Sequence, residues 1–328
     1  MAYESEQRSA MDAVRKACAL CEAVRRTFHG GEMLEKKDKS PVTVADFGAQ
    51  AVVSHELSVS FSGDPLVAEE DSGALRKSEN VALKERVIGH VKGVVPALDH
   101  DDVLGAIDRG AGDYDPKGRF WTLDPIDGTK GFLRGDQYAV ALALVEDGQV
   151  ILGVLGCPYL PLNIDAPQGP KGCLFSAVKG EGASMEMLNG SEKRKIGVAG
   201  TDSLSEALFC ESFEASHSSH QHCAEIGRLL GISKPPVRID SQCKYGIVAR
   251  GDATVYLRLP TRESYVETIW DHGAGSIVVE EAGGKVTDME GRLLDFSLGR
   301  RLSHNRGIVV TNGRLHDAVL RAVQEVCQ

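Results

Sequence analysis

Two carboxylates that leave the chain close together are the side chains best placed to do chemistry. They lie in the segment Trp121-Thr-Leu-Asp-Pro-Ile-Asp-Gly-Thr129. The proline after Asp124 favours an extended backbone there, and Gly128 allows a turn that a side chain would obstruct. Asp124 and Asp127 are therefore expected to share one tight turn, with the carbonyl group of Ile126 between them. Hard cations such as Mg²⁺ prefer these oxygen ligands, so the segment indicates a metal site.

The residues that follow this turn suggest a partner for the cations. If a helix begins at Gly128 and Thr129, its free backbone N–H groups would face a phosphate that the metal ions hold. A solvated turn is the alternative, because Asp-Pro and Asp-Gly pairs are common in surface loops. The segment by itself leaves both interpretations open.

Acidic residues at two other places favour the metal site. Glu69 and Glu70 follow the short apolar strand 66–68, where binding residues often lie. Asp271 belongs to Trp270-Asp-His-Gly-Ala-Gly275, which begins a predicted helix. Taken singly, each is also explained as a capping acid.

The hydrophobic pattern predicts two layered domains with a cleft between them. Helical periodicity covers about residues 7–28, 42–57 and 75–95, a polar loop is expected at 100–102, and strands are expected at 138–145, 150–155 and 173–178. Up to about residue 200, helices over a largely antiparallel sheet are therefore expected. After residue 200, short strands and helices alternate. We expect domains at residues 1–200 and 201–328.

Composition restricts the class of partner. The chain has 328 residues and a formal net charge of −10, which repels polyanions, so nucleic acid is not an expected partner. No apolar run approaches the roughly 20 residues that span a bilayer. The N-terminus resembles neither a signal nor a transit peptide. The sequence as given predicts a cytoplasmic protein, or a chloroplast or mitochondrial one if a transit peptide has been removed.

The eight cysteines are scattered along the chain, which favours a reducing compartment. Cys18 and Cys21 form a lone CxxC in a helical pattern, and packing explains them better than metal or redox chemistry. Cys157 and Cys173 end and begin successive predicted strands. A regulatory disulfide and two buried thiols both remain open for that pair.

Four motifs resemble those of the lithium-sensitive inositol monophosphatase-like superfamily, and they occur in the order and approximate spacing of that family. They are Glu69-Glu70, 124–129, 270–275 and Glu281-Ala-Gly-Gly284. The segments 39–46, 211–220, 240–245 and 256–260 resemble the 3′(2′),5′-bisphosphate nucleotidases within it, and the plant members also share 67–73 and 131–138. The resemblance covers almost the whole chain and weakens at 76–118 and 161–195.

The resemblance implies an α/β (α+β) sugar-phosphatase fold of αβαβα layers, with the active site in the cleft between two domains. It also implies two or three Mg²⁺ ions as cofactors. The implied metal ligands are Glu69, Asp124, the carbonyl of Ile126, Asp127 and Asp271. Asp46 and Thr129 resemble the pair that positions and deprotonates the attacking water.

Six residues resemble the family's substrate contacts: Gly128, Thr129, His217, Ser241, Lys244 and Arg258. Lys244 and Arg258 suit the phosphate that is retained, because each offers charged donors. Strand alternation predicts that Arg258 faces away from Leu257 and Leu259. A zinc cluster of three histidines (His217, His220 and His222) is a weaker alternative, since their spacing is irregular and no cysteine accompanies them.

The two tryptophans, Trp121 and Trp270, each lie within three residues of an aspartate of the implied metal site. We expect them to be core anchors of that site, with contact to nucleotide as the alternative. His272 is expected to pack or to cap a helix.

The implied activity is hydrolysis of adenosine 3′,5′-bisphosphate to AMP and phosphate, with 3′-phosphoadenosine 5′-phosphosulfate as a second substrate. The nearest alternative is an inositol polyphosphate 1-phosphatase. A nucleotide-binding regulatory protein would not need both Asp46 and Thr129, and a cation buffer would leave Ser241, Lys244 and Arg258 unexplained. The expected partner is a small nucleoside bisphosphate, with no membrane partner, and the expected state is a monomer or homodimer.

Overall fold

The computed structural model describes residues 2–27, 33–35, 41–213, 219–262 and 264–327. Its helices are α1 Glu4–Arg26, α2 Val44–Ser60, α3 Val81–Val94, α4 His100–Asp108, α5 Thr129–Arg134, α6 His220–Leu229, α7 Cys243–Ala249, α8 Gly273–Glu281 and α9 His316–Val326. Its strands are β1 Met33–Glu35, β2 Pro41–Thr43, β3 Leu66–Ala68, β4 Arg119–Asp127, β5 Ala139–Glu146, β6 Gln149–Pro161, β7 Lys171–Val178, β8 Gly182–Met187, β9 Arg194–Lys195, β10 Phe209–Glu211, β11 Val237–Arg238, β12 Val255–Arg258, β13 Lys285–Thr287 and β14 Ile308–Thr311.

Two main sheets organise the described residues. The larger has seven strands in the order β3 to β9, and every neighbouring pair is antiparallel except β3 and β4. The smaller has five strands in the order β11-β10-β12-β14-β13. The largely antiparallel first sheet is as predicted, and β5 and β6 form the predicted hairpin.

Alternating side chains give each sheet two apolar faces, and three cores follow from this. In the first core, α1 and α2 cover one face of the seven-stranded sheet, including Leu142 and Leu144. In the second, α7 and α8 fill the space between the two sheets, against Ala141 and Ala143. In the third, α6 and α9 cover the far face of the five-stranded sheet. The layers therefore follow the predicted αβαβα order.

The predicted boundary near residue 200 falls between β9 and β10, where the strands of one sheet end and those of the other begin. However, α8 comes from the later part of the chain and packs on β5, β6 and β7 of the first sheet. The division into domains 1–200 and 201–328 stays a prediction.

Two predictions between residues 75 and 108 were wrong. The helix expected from residue 75 begins only at Val81, after turns and a short 3₁₀ segment. The loop expected at 100–102 is the first turn of α4. There Asp99 and Asp102 form a reciprocal capping box, so acids that suggested a polar loop satisfy the free N–H groups of a helix.

The cysteines whose side chains are described carry no disulfide. Cys18 and Cys21 are buried in the first core, as packing residues. Cys157 and Cys173 lie directly opposite each other on β6 and β7, both fully buried. Burial raises the pKa of the Cys173 thiol to about 11, which slows attack by a thiolate. A regulatory disulfide between them stays a prediction, and mass mapping of oxidised protein would test it.

Candidate active site

A cleft of about 300 Å³ gathers most of the candidate residues from both parts of the chain. Its walls come from the ends of β3 and β4, the start of α5, the start of α7, the end of β12 and the turn before α8. The predicted site residues that line it are Glu69, Asp124, Ile126, Asp127, Gly128, Thr129, Ser241, Lys244, Arg258 and Asp271. His217 lies outside the described residues.

The parallel pairing of β3 and β4 explains why two carboxylate segments meet. Carboxyl ends of parallel neighbours lie at the same edge of a sheet, so Glu69 after β3 comes beside Asp124 in β4. The side chain of Gln50 on α2 fixes this edge, because it exchanges hydrogen bonds with the backbone of Glu70 over 2.6 and 3.0 Å.

Asp124 and Asp127 do not share the tight turn that we expected. Both belong to β4, and the register of its pairing with β5 shifts between them. The prolyl peptide supplies no N–H for the ladder, which suits an irregularity at this point. The irregularity still directs both carboxylates into the cleft. As expected, a helix begins at Thr129.

Asp46 and Thr129 lie together beside the carboxylates. Asp46 is on the first turn of α2, where its Oδ2 accepts hydrogen bonds from the backbone N–H (2.7 Å) and hydroxyl (2.6 Å) of Thr43. Its Oδ1 is 3.3 Å from the hydroxyl of Thr129, which also lies 3.2 Å from the carbonyl oxygen of Ile126. One oxygen of Asp46 thus holds the helix start, and the other faces the site.

Two turns from different parts of the chain touch at Gly128 and Ser241. Gly128 has a φ of 88°, and a Cβ atom there would come 3.0 Å from the Cβ of Ser241. Ser241 itself has a φ of 64°, which is uncommon for a residue other than glycine. Next to it, the backbone N–H of Gln242 donates to Asp127 over 2.5 Å. This contact joins the start of α7 to the end of β4.

Two cations enter the cleft from the five-stranded sheet side. Lys244 is buried beneath the site, with its Nζ atom 5.1 Å from the ring centre of Tyr256. Arg258 ends β12 and faces the cleft, whereas Leu257 and Leu259 on either side of it belong to the third core. The predicted orientation of Arg258 is therefore confirmed. Its charge is balanced within the protein, by Glu267 at 2.9 Å and Asp271 at 3.2 Å.

The surroundings shift the pKa values of the cleft aspartates and of Glu267 in opposite directions. Burial and the neighbouring carboxylates of Glu69, Asp127 and Asp271 raise the pKa of Asp124 well above its usual range. Burial and Asp271 raise the pKa of Asp127 to about 6, although Lys244 and Arg258 act against this. Burial also acts to raise the pKa of Glu267, but the nearby charge of Arg258 and the hydrogen bond from His272 lower it to about 2.

Both tryptophans act as anchors near the site. Trp121 is fully buried, and its indole N–H donates to Asp64 over 3.1 Å. Trp270 stacks on the guanidinium of Arg300, 4.9 Å from the ring centre, and Arg300 donates to the carbonyl oxygen of Ala68. Trp270 thereby links the turn that carries Asp271 to the strand that precedes Glu69.

Comparison with known proteins identifies the family and the fold. A model of the inositol monophosphatase family matches residues 2–328. The chain belongs to the inositol monophosphatase family. The Thermotoga maritima IMPase has the same fold, with a TM-score of 0.65 at 23% sequence identity over 97% of this chain and 96% of its own. The resemblance and the fold predicted from it are both confirmed.

Two plant relatives are similar over nearly their full length. A protein of Oryza sativa named 3′(2′),5′-bisphosphate nucleotidase is 47% identical over 98% of this chain and 94% of its own length. A protein of Arabidopsis thaliana named 3′(2′),5′-bisphosphate nucleotidase 1 is 48% identical over 99% of this chain and 97% of its own length.

Three residues that contact the site residues were absent from the sequence prediction. Gln242 lies inside the predicted segment 240–245, which was the available sequence signal, and the structure places it, buried, at the start of α7. Glu267 and Tyr265 both contact Arg258 from a turn-rich stretch before α8. No local sequence pattern distinguishes these two from the acids and aromatic residues of surface loops.

Proposed function

We propose that this chain hydrolyses the 3′-phosphate of adenosine 3′,5′-bisphosphate, giving AMP and phosphate, in a magnesium-dependent reaction. The observation that carries the proposal is the Thr129 hydroxyl, 3.3 Å from Asp46 and beside the carboxylates that line the cleft. The names of the plant relatives support the nucleotide as substrate. 3′-Phosphoadenosine 5′-phosphosulfate, which carries the same 3′-phosphate, is the proposed second substrate.

The donor set fits a hard divalent cation. Four carboxylates converge on the cleft with the carbonyl of Ile126 nearby: Glu69, Asp124, Asp127 and Asp271. Burial and neighbouring carboxylates raise the pKa values of Asp124 and Asp127, and a divalent cation beside them would counteract this. A bound Mg²⁺ ion would neutralise phosphate charge and make hydroxide available near neutral pH. We propose two or three such ions.

A second potential cluster does not fit a metal. Glu267, Asp271 and His272 bring possible ligand atoms within 4.8 Å of one another. Both ring nitrogens of His272 are engaged, with Tyr245 and Glu267, and Glu267 lies outside the cleft beside the guanidinium of Arg258, which would repel a cation placed among the three. Of the three, only Asp271 lines the cleft. Glu267 and His272 are therefore not assigned to a metal.

The chain's own groups have distinct proposed roles. Thr129 orients the attacking water, and its hydroxyl passes a proton to Asp46 Oδ1 as it accepts one from the water. Asp46 is kept in position because its other oxygen is bound to Thr43. Gly128, Ser241, Lys244 and Arg258 line the part of the cleft where the nucleotide and its retained phosphate bind in this proposal. His217 is proposed as a further nucleotide contact.

A side-by-side phosphate-release assay tests the proposal. The purified protein is given adenosine 3′,5′-bisphosphate, inositol 1,4-bisphosphate and inositol 1-phosphate at equal concentrations, with Mg²⁺ and with a chelator. We expect the highest kcat/KM for the nucleotide and no turnover in the chelator. A higher kcat/KM for inositol 1,4-bisphosphate would instead favour an inositol polyphosphate 1-phosphatase.

A further inference from the structure

Arg258 contacts two carboxylates that differ in their surroundings. Its Nη2 atom is 3.2 Å from Asp271, whose side chain is 17% exposed and lines the cleft. Its Nε atom is 2.9 Å from Glu267, whose side chain is only 3% exposed and lies behind the cleft wall. Asp271 belongs to the proposed metal site, whereas Glu267 has no contact with the proposed substrate position. The role of Glu267 is therefore not explained by the reaction itself.

Glu267 is fixed from its far side by two core residues. His272 Nε2 lies 3.1 Å from Glu267 Oε2, and His272 Nδ1 lies 2.7 Å from the hydroxyl of Tyr245. If Tyr245 donates to Nδ1, then Nε2 carries the proton and donates to the carboxylate. His272 and Tyr245 are 0% and 1% exposed, so packing holds the whole chain of contacts. The position of the Glu267 carboxylate follows from this packing.

The buried carboxylate of Glu267 helps to orient the guanidinium of Arg258. With Asp271 as its one carboxylate partner, Arg258 would be drawn toward the proposed metal ligands. Glu267 pairs with the guanidinium at its Nε edge and balances its charge, and Nη2 donates to Tyr265 and Asp271, so among the contacts of the described residues Nη1 is the nitrogen that remains for a ligand in the cleft that Arg258 lines. Orientation of this kind lowers the entropy that a ligand loses on binding.

We propose that Glu267 is a positioning residue that holds Arg258 for the retained 5′-phosphate, supported by His272 and Tyr245. This inference rests on the proposed function, in which Arg258 binds the phosphate that is not cleaved. It assigns to the Glu267–His272–Tyr245 chain an effect on substrate specificity, because a substrate without a second phosphate gains nothing from an oriented Arg258.

The test replaces Glu267 by Gln, which keeps the size and removes the charge. The first measurement is the Kd of AMP by calorimetry, because AMP carries only the retained phosphate and binds without turnover. The second is KM and kcat for adenosine 3′,5′-bisphosphate. We expect Kd and KM to rise about tenfold, an interaction of the usual size for a charged hydrogen-bonded group, and kcat to change less than about threefold. Glu267→Asp should recover part of the loss.

A double-mutant comparison separates positioning from general stability. In an Arg258→Ala background, Glu267→Gln should change the Kd of AMP by less than about twofold, because Glu267 acts through Arg258. A tenfold loss in both backgrounds, or an unchanged Kd in the single variant, would overturn the inference. If Glu267→Gln does not fold by circular dichroism, Glu267→Asp is compared in the same two backgrounds.

The proposed function can fail separately. A wild-type protein that neither hydrolyses adenosine 3′,5′-bisphosphate nor binds AMP would overturn both the function and this inference. Normal wild-type activity with unaltered AMP binding in the Glu267 variants would overturn the inference alone.

Discussion

The two walls of the cleft carry opposite charges and differ in how those charges are balanced. On the acidic wall (Glu69, Asp124 and Asp127), burial and like charge raise the pKa of both aspartates. On the basic wall (Lys244 and Arg258), Arg258 is paired with Glu267, a carboxylate whose pKa is lowered to about 2. The protein therefore balances the charge of the acidic wall only in part, whereas the arginine of the basic wall is paired with a carboxylate of the protein.

This difference matches two different tasks. Carboxylates that repel one another gain most from a divalent cation, so the acidic wall is suited to chemistry that depends on metal. An arginine held by a buried acid keeps a fixed orientation, so the basic wall is suited to recognition. An acidic protein with a net charge of −10 can bind a polyanion through such an arrangement.

The largest expected effect comes from breaking the acidic wall. Asp127→Asn removes a ligand charge while keeping the side-chain size, and we expect kcat/KM to fall by at least about 10³-fold, within the range that electrostatic groups contribute to catalysis. Magnesium titrations of activity and circular dichroism measure the loss and check the fold. Lithium is expected to inhibit the parent enzyme. Activity that survives thorough chelation, or that zinc alone restores, would contradict the mechanism.

Substitutions in the basic wall should change KM more than kcat. Lys244→Ala and Arg258→Ala each remove charged donors to the retained phosphate, so we expect KM for adenosine 3′,5′-bisphosphate to rise by the equivalent of about 1.5–3 kcal/mol. Steady-state kinetics with inositol 1-phosphate provide the control, since this substrate lacks a second phosphate. Equal damage with both substrates would mean that the two residues support the fold instead.

The sequence predicted the acidic wall better than the basic one, for a physical reason. Glu69 and Asp127 lie at strand ends and Asp124 lies within β4. Short motifs of carboxylate, proline and glycine identify all three in the sequence. Arg258 was identified by its resemblance to the family's substrate contacts, and strand alternation predicted its orientation. Its partner Glu267 comes from a segment without periodicity, and tertiary packing alone brings it there. The cap at Asp99 was missed for a related reason, because acids in a loop and acids in a first helical turn have the same composition.

The pH dependence of stability should separate the two walls. The pKa of Asp127 is raised to about 6 in the folded state, so the metal-free protein should lose stability as pH rises from about 4 to about 6. The pKa of Glu267 is lowered to about 2, so its contribution is present above about pH 4.5 and is lost as pH falls toward 2. For Asp127, the expected change in the free energy of unfolding is on the order of 3 kcal/mol.

Denaturant unfolding in a chelator at several pH values measures both effects. Asp127→Asn should remove most of the decrease between pH 4 and 6, and Glu267→Gln should leave that decrease in place. Magnesium should restore the stability of the parent protein at pH 7. A metal-free protein with the same stability at pH 4.5 and 7, and no response to Asp127→Asn, would show that the acidic wall is not under strain from like charge.

The smallest expected effect concerns Gln242, which joins the two walls. Its backbone N–H donates to Asp127 over 2.5 Å, its side-chain amide donates to the carbonyl of Trp270 over 2.9 Å, and its amide oxygen accepts from the N–H of Gly275 over 3.1 Å. Through its backbone and its side chain together, Gln242 therefore ties the end of β4 to the turn that carries Asp271. Gly275 leaves no room for rearrangement there, since a Cβ atom would lie 2.4 Å from the ring of Tyr245.

Gln242→Met keeps the length of the side chain and removes both hydrogen bonds, while the backbone bond to Asp127 stays. We expect a loss of about 1–3 kcal/mol in the free energy of unfolding, because the N–H of Gly275 and the carbonyl of Trp270 lose buried partners. We also expect kcat to fall a few-fold with little change in KM, since Asp271 moves relative to Asp127 while the basic wall stays intact.

Gln242→Glu is the matched control, because it can still accept from Gly275 but cannot donate to Trp270, so its loss of stability should be intermediate if charge near Asp127 adds no further cost. If Gln242→Met matches the parent protein in unfolding and in kcat, the two walls hold their positions without this bridge, and the packing of α8 on the seven-stranded sheet alone is sufficient.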